Sequence, residues 1–219
     1  MFETVIFDWD GTLADTRAVI LFSFHKALSE IGADVDDNQV ERRIGIGSAE
    51  TFRELLRGQN KNFDEMMVNS LVKKKIVTEI ALSSQIKLFP GATDLLESLC
   101  GKVKLGLASM NNRAVIDHLL KTTKTSGFFA ATVTADEVSK PKPNPEIFLK
   151  TAQKLETLPS CCVVVEDSIF GVKAAKAAGM ACVAVAQSAY SKDELAQAMP
   201  DLIVSSLFEK HAILNFVVK

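Results

Sequence analysis

The chain has 219 residues, 47% of them hydrophobic and 24% charged, a balance that excludes disordered, collagenous and coiled-coil classes and leaves enough chain to bury a core without staples. Lys plus Arg number 25 against 27 Asp plus Glu, a formal net charge of -2, so no global field draws the protein toward nucleic acid or anionic lipid. The four cysteines, Cys100, Cys161, Cys162 and Cys182, make no CxxC pair or zinc-type spacing. No apolar run reaches the roughly 18 to 20 residues of a membrane span, and acids stand where a signal peptide carries bases, so a reduced cytoplasmic protein is expected.

The first apolar, β-branched run, Thr4 to Phe7, reads as a buried strand. It runs into Asp8-Trp9-Asp10-Gly11-Thr12-Leu13. Residues i and i+2 of an extended strand share a face, so both carboxylates begin toward one crevice, where they repel unless a hard divalent cation such as Mg²⁺ joins them. Taken alone, the same pair serves as a helix cap and a turn.

From about Thr16 to Ser84 helical spacing replaces strand patterns. Ile20, Phe24, Ala27, Leu28 and Ile31 form one stripe. Phe63, Met67 and Leu71, alongside Val68, Val72, Ile76 and Ile80, form another. The spacing predicts a helical insertion, and its position after strand one places it over the carboxyl ends of the sheet, where open α/β sheets bind ligands. Inside it, Arg43-Ile44-Gly45-Ile46-Gly47-Ser48 reads as a turn between helices; Glu50 stands where a dinucleotide fingerprint needs its third glycine. Arg42 and Arg43 suit a substrate carboxylate or second phosphate, or solvent.

Phe89-Pro90-Gly91 is a turn signal before a helix bearing Ala92, Leu95, Leu96 and Leu99. Val103 to Ala108 is a second strand, ending in Ser109-Met110-Asn111-Asn112, whose hydroxyl and free backbone donors suit a phosphate oxygen, with an ordinary helix cap as the plainer role. In Lys140-Pro141-Lys142-Pro143-Asn144-Pro145 the prolines stiffen the backbone, which would hold the Lys140 charge in place, although a lysine before proline is ordinarily solvated. A helix bearing Ile147, Phe148, Thr151, Ala152 and Leu155 follows.

Cys162 to Val165 reads as a third strand and closes on a second acid pair, Glu166-Asp167, followed by Ser168 and Gly171. By itself that pair suits a helix N-terminus; at the ends of two parallel strands, four acids on one sheet edge call for a shared cation. Val172, Ala175 and Ala178 before Gly179 give a further helix, and Ala181 to Val185 and Leu202 to Val204 two more strands. Strands alternating with helices predict an α/β fold on a parallel, Rossmann-like sheet. The expected division is a discontinuous core of residues 1–15 and 85–219 with a helical cap of 16–84.

The ordered set of acid pair, hydroxyl, lysine and acid pair resembles the haloacid dehalogenase superfamily of phosphohydrolases over essentially the whole chain. The resemblance implies Asp8 as nucleophile through an aspartyl-phosphate and Asp10 as general acid and base. It implies Mg²⁺ held by Asp8, Asp10 and Asp167 with Glu166 in or behind the ligand set, and phosphate held by Gly11, Thr12, Ser109, Met110 and Lys140. Arg43, Gly45 and Gly47 are implied as substrate contacts, because their loop resembles that of phosphoglycolate phosphatases and their pyrophosphatase relatives. A dehalogenase would lack the second acid that Asp10 supplies, and a phosphonate hydrolase would need a lysine that is absent between Thr12 and Leu21. The β-phosphoglucomutase branch carries a histidine where this chain has Ile20.

The function so implied is a Mg²⁺-dependent phosphatase of a small phosphorylated metabolite, phosphoglycolate first, a sugar phosphate or pyrophosphate behind it. The alternatives are a phosphomutase, an inorganic pyrophosphatase or a non-catalytic regulatory protein of the same fold. Neither a nucleic-acid nor a membrane partner is expected, and the protein would be a monomer or homodimer.

Overall fold

In the computed structural model, which describes residues 2–218, strand β1 (Thr4–Phe7) is buried at every position. Both its faces are covered, which explains a continuous apolar run rather than an alternating one. The chain then forms β2 (Ala14–Asp15), α1 (Arg17–Ser29), α2 (Asp37–Glu41), α3 (Ser48–Gly58), α4 (Glu65–Ala81) and β3 (Lys87–Leu88). Because β3 pairs antiparallel with β2, Ala14 opposite Leu88 and Asp15 opposite Lys87, the four helices form one excursion that returns to its point of departure. Asp36 and Asp64 cap α2 and α4 by accepting backbone N–H bonds from Gln39 and Met67. The excursion has its own apolar cluster, built on Ile20, Phe24 and Leu28 of α1, Phe52 and Leu56 of α3, and Val68 and Leu71 of α4.

After the excursion come α5 (Ala92–Leu99), β4 (Lys104–Ser109), α6 (Arg113–Thr122), β5 (Ala131–Thr134), α7 (Glu146–Lys154), β6 (Cys162–Glu166), α8 (Ile169–Ala177), β7 (Ala181–Val185), α9 (Lys192–Ala196), β8 (Leu202–Val204) and α10 (Lys210–Val218). The sheet order is β5-β4-β1-β6-β7-β8 and every pairing is parallel. Val5, Phe7 and Trp9 pack on one face and Ile6 on the other. Strand β5 has no counterpart in the sequence-based expectation: Ala-Thr-Val-Thr at a sheet edge lacks a long apolar run.

Central β1 has β4 on one side and β6 on the other, with Phe7 level with Leu107 and Val165. The sheet order therefore reverses direction at β1, and the crevice at its carboxyl end is where an open α/β sheet receives a ligand. Among the described residues no helix is long and apolar enough to cross a membrane.

Candidate active site

Asp8 leaves β1 at that crevice, its amide donating to the Val165 carbonyl at 3.0 Å. Its Oδ1 accepts from the Lys142 ammonium at 2.6 Å, and the same ammonium donates to Glu166 Oε1 at 2.6 Å. The other Glu166 oxygen, Oε2, accepts from the Asp167 and Ser168 amides and the Ser168 hydroxyl, at 2.8, 2.8 and 2.9 Å. Both oxygens of Glu166, one of the expected metal ligands, are thus committed to protein donors. Its carboxylate has room only because residue 171 is glycine: a Cβ there would lie 1.8 Å from the carboxyl carbon.

The lysine at the site is Lys142, not Lys140. Lys142 is buried against two carboxylates with its ammonium 5.0 Å from the Phe148 ring centroid, whereas Lys140 is exposed, its backbone amide donating to Glu146 at 2.9 Å. Each precedes a proline, so the local sequence does not separate them. A lysine can be buried only where counter-charges are arranged to meet it, and the ends of β1 and β6 meet Lys142 alone.

Asp167 stands opposite. Its Oδ1 accepts from the Thr12 hydroxyl at 2.9 Å, and its Oδ2 accepts from Ser188. Gly11, with φ +85°, lies so close that a Cβ would fall 2.2 Å from Oδ2. The Gln187 side chain donates to the Gly11 and Thr12 carbonyls at 3.3 and 2.8 Å, which fixes this loop from the β7 side.

Asp10 faces the helical excursion. Its Oδ2 accepts from Ser109 at 3.4 Å and from the Asn111 amide at 3.3 Å, while Oδ1 is buried without a partner. Asn111 also donates to Glu79 at 2.7 Å and accepts from Lys75 at 3.1 Å; Lys75 and Glu79 pair at 2.5 Å, both buried on α4. Asn111 belongs to the strand-end stretch that the sequence marks for a phosphate oxygen, whereas Lys75 and Glu79 carry no such signal. A Lys–Glu pair four residues apart on a helix is normally a solvated surface feature, and only the packing of α4 against α1 and α6, beside the loop that bears Asn111, turns it inward.

The loop between α2 and α3 covers the site. A Cβ at Gly45, φ +105°, would lie 3.2 Å from Ser168 Oγ, and one at Gly47, φ +93°, 3.0 Å from Met110 Cε. Beneath is a narrow, half-open chamber whose walls include Asp8, Asp10, Ile20, Phe24, Lys75 and Asn111. Arg43 reaches this wall but its guanidinium is engaged, donating to Glu54 at 2.7 Å and the Gln39 carbonyl at 2.7 Å.

Burial dominates the electrostatics. It raises the Asp8 carboxyl well above its ordinary range, opposed by Lys142 and reinforced by Glu166, Asp167 and Asp10. Burial, then the Glu79 charge, pushes Asp10 up to about 6, and burial, then Glu166, pushes Asp167 up to about 7. No three His, Cys, Asp or Glu side chains among the described residues converge as a ready metal cage. Mg²⁺ does not need one, since it takes one or two carboxylates, a carbonyl and waters or phosphate oxygens. Crowded buried acids with one ammonium among them fit such an ion.

A pH dependence follows. A carboxyl raised on folding favours the protonated form, so its contribution to stability is present below the unfolded value and is lost as pH rises through the folded one. In chelator, melting temperature should therefore fall by roughly 5 °C between pH 5 and pH 8, as Asp10 and Asp167 ionise. Excess Mg²⁺ should restore it at pH 8 and do little at pH 5, because the ligands must be deprotonated. A metal-independent melting curve at pH 8 would contradict this.

Residues 5–185 match the family described as haloacid dehalogenase-like hydrolase, and the chain belongs to that family of enzymes. It is 30% identical to the fructose-1-phosphate phosphatase YqaB of Escherichia coli, over 83% of this chain and 95% of that one. To the β-phosphoglucomutase of Bacillus subtilis it is 31% identical, over 84% of each. The crystal structure of a hydrolase from Pseudomonas syringae superposes over the whole of both chains with a TM-score of 0.92 at 25% identity.

Proposed function

We propose that this protein is a Mg²⁺-dependent phosphatase acting on a small phosphorylated metabolite with a neutral, hydroxyl-bearing leaving group of the sugar class. The observation that carries this is the pairing of the chamber's cations. Lys75, the buried cation of the wall, is neutralised by the buried Glu79, and Arg43 is turned toward Glu54 and the Gln39 carbonyl, so the wall offers no buried unengaged positive charge to a second anionic group. A buried anionic group without a partner is costly, so this reading ranks phosphoglycolate and pyrophosphate behind sugar phosphates, reversing the order suggested by the glycine loop. The relative named for fructose 1-phosphate agrees with this class. Ile20, buried at the chamber wall where the mutase branch carries histidine, favours hydrolysis over isomerisation.

In this reading residues 1–15 and 85–219 form the catalytic core and 16–84 the cap. The Asp8 carboxylate attacks phosphorus, and the bond to the leaving oxygen breaks as Asp10 donates its proton there, giving an aspartyl-phosphate and a free alcohol. Asp10 then takes a proton from the water that hydrolyses the acyl phosphate, releasing phosphate and restoring Asp8. A carboxyl held at about 6 serves both steps near neutrality. Lys142 offsets the charge of Asp8 as the anionic substrate approaches, and Ser109 with the Met110 backbone holds phosphate oxygens, whereas the expected donors Gly11 and Thr12 are engaged, their amides donating to the Ala14 and Trp9 carbonyls at 3.0 and 3.3 Å. Glu166 positions Lys142. Asp8, the Asp10 carbonyl and Asp167 would hold Mg²⁺, which supplies charge neutralisation for the transferring group.

The test is phosphate release from hexose and pentose phosphates, phosphoglycolate and pyrophosphate, with and without Mg²⁺. Metal-dependent release should favour a sugar phosphate over phosphoglycolate by at least about ten-fold in kcat/KM. A preference for phosphoglycolate or pyrophosphate would overturn the substrate class, and no release from any compound would overturn the phosphatase reading.

A further inference from the structure

The segment from Gln187 to Glu194 touches both halves of the site. On the core side, Gln187 holds the Gly11–Thr12 carbonyls and Ser188 donates to Asp167. On the cap side, the Tyr190 hydroxyl donates to the Arg42 carbonyl at 2.9 Å, and the Arg42 guanidinium lies 4.9 Å from the Tyr190 ring centroid and donates to Glu194 at 2.8 Å. Tyr190 is only 7% exposed although it sits in a loop. Its neighbour across this contact, Arg42, immediately precedes the stretch that roofs the chamber through Ile44, Gly45 and Gly47. Glu194 is itself fixed by a reciprocal cap with Ser191 at the start of α9, so the core side of the contact is preorganised before the cap arrives.

We propose that Tyr190 and Glu194 are positioning residues that dock the cap on the core through Arg42, and so hold residues 43–48 closed over Asp8 and Asp10. Three contacts converge on one cap residue: a hydrogen bond to its carbonyl, a cation–π contact and an ion pair with its side chain. The ion pair alone is half-exposed and worth little. The stack adds a term that needs the guanidinium's planar geometry, and the carbonyl bond fixes the backbone leading into the roof. The same segment fastens the Asp167 and Gly11 loop, so cap docking and placement of the acid cluster are linked in one stretch of chain, and any such coupling is reciprocal.

The direct test is amide hydrogen exchange of residues 43–48 in the metal-free full chain, which does not depend on the phosphatase reading. Arg42→Ala and Tyr190→Ala should each speed exchange there by roughly ten-fold, with the double variant faster than either single one but by less than the product of the two, because both lose the stack while the carbonyl bond survives Arg42→Ala and the Glu194 pairing survives Tyr190→Ala. Tyr190→Phe should show a smaller increase, and Arg42→Lys, which keeps the Glu194 pairing, should retain part of the protection. In the kinetic arm, which does rest on that reading, Arg42→Ala and Tyr190→Ala should raise KM for the preferred substrate by about three- to ten-fold with kcat changed by less than about two-fold. Unchanged exchange in residues 43–48, strictly additive effects, or acceleration spread evenly over the whole chain as in global destabilisation would overturn the proposal, whatever the kinetics show.

Discussion

Asp8→Asn should lower metal-dependent phosphate release by about 10³-fold or more, because removing a nucleophile that acts as one unit with its acid–base partner leaves only binding and electrostatic assistance. The variant should fold at least as well as the wild type. Asp8 is a buried carboxyl raised by desolvation and by Glu166, Asp167 and Asp10, so a neutral isostere relieves repulsion, while Lys142 keeps its 2.6 Å partner in Glu166. The melting temperature in chelator at pH 8 should therefore hold or rise by a few degrees as activity disappears. That combination separates chemistry from folding. Residual activity within ten-fold of wild type would remove Asp8 from the role proposed.

The second large effect concerns the two lysines. Lys142→Met should destabilise the protein by about 3 to 5 kcal/mol, since it leaves Asp8 and Glu166 buried without their shared cation. For a domain of this size that is roughly a 10 °C fall in melting temperature. Phosphate release should drop by about 10² to 10³-fold, the scale on which a preorganised charge at a reaction centre acts. Lys140→Met should change stability by no more than about 0.5 kcal/mol and activity by less than about two-fold, because Lys140 touches the structure only through its backbone. Equal effects of the two substitutions, or a larger effect at position 140, would refute the placement of Lys142 at the site.

Much of the site was legible along the chain because its parts sit at strand ends. Short β-branched runs announce buried strands, and polar residues immediately after such runs fall on one sheet edge by topology alone. Asp8, Asp10, Ser109, Glu166 and Asp167 were all found in this way. Helical periodicity from Thr16 to Ser84 likewise marks an excursion from the sheet, since a 3.6-residue stripe cannot be buried in a strand. The choice between Lys140 and Lys142 was not legible, because both share the same local chemistry and burial depends on carboxylates 134 and 24 residues away from Lys142. Lys75 and Glu79 were hidden for the same reason: their spacing describes a helix surface, and which surface faces a neighbour is decided by packing.

The sequence by itself determined the class of fold, the order of its strand-end motifs and the acid cluster, because these follow from local periodicity and from the rule that parallel strands end on one edge. Only the tertiary structure decided which lysine balances that cluster, that Glu166 spends both oxygens on the protein, and that Lys75 and Arg43 line the chamber already paired with Glu79 and Glu54. Each of these is a question of which charges meet in a low-dielectric interior, and such meetings are set by contacts between residues far apart in the chain.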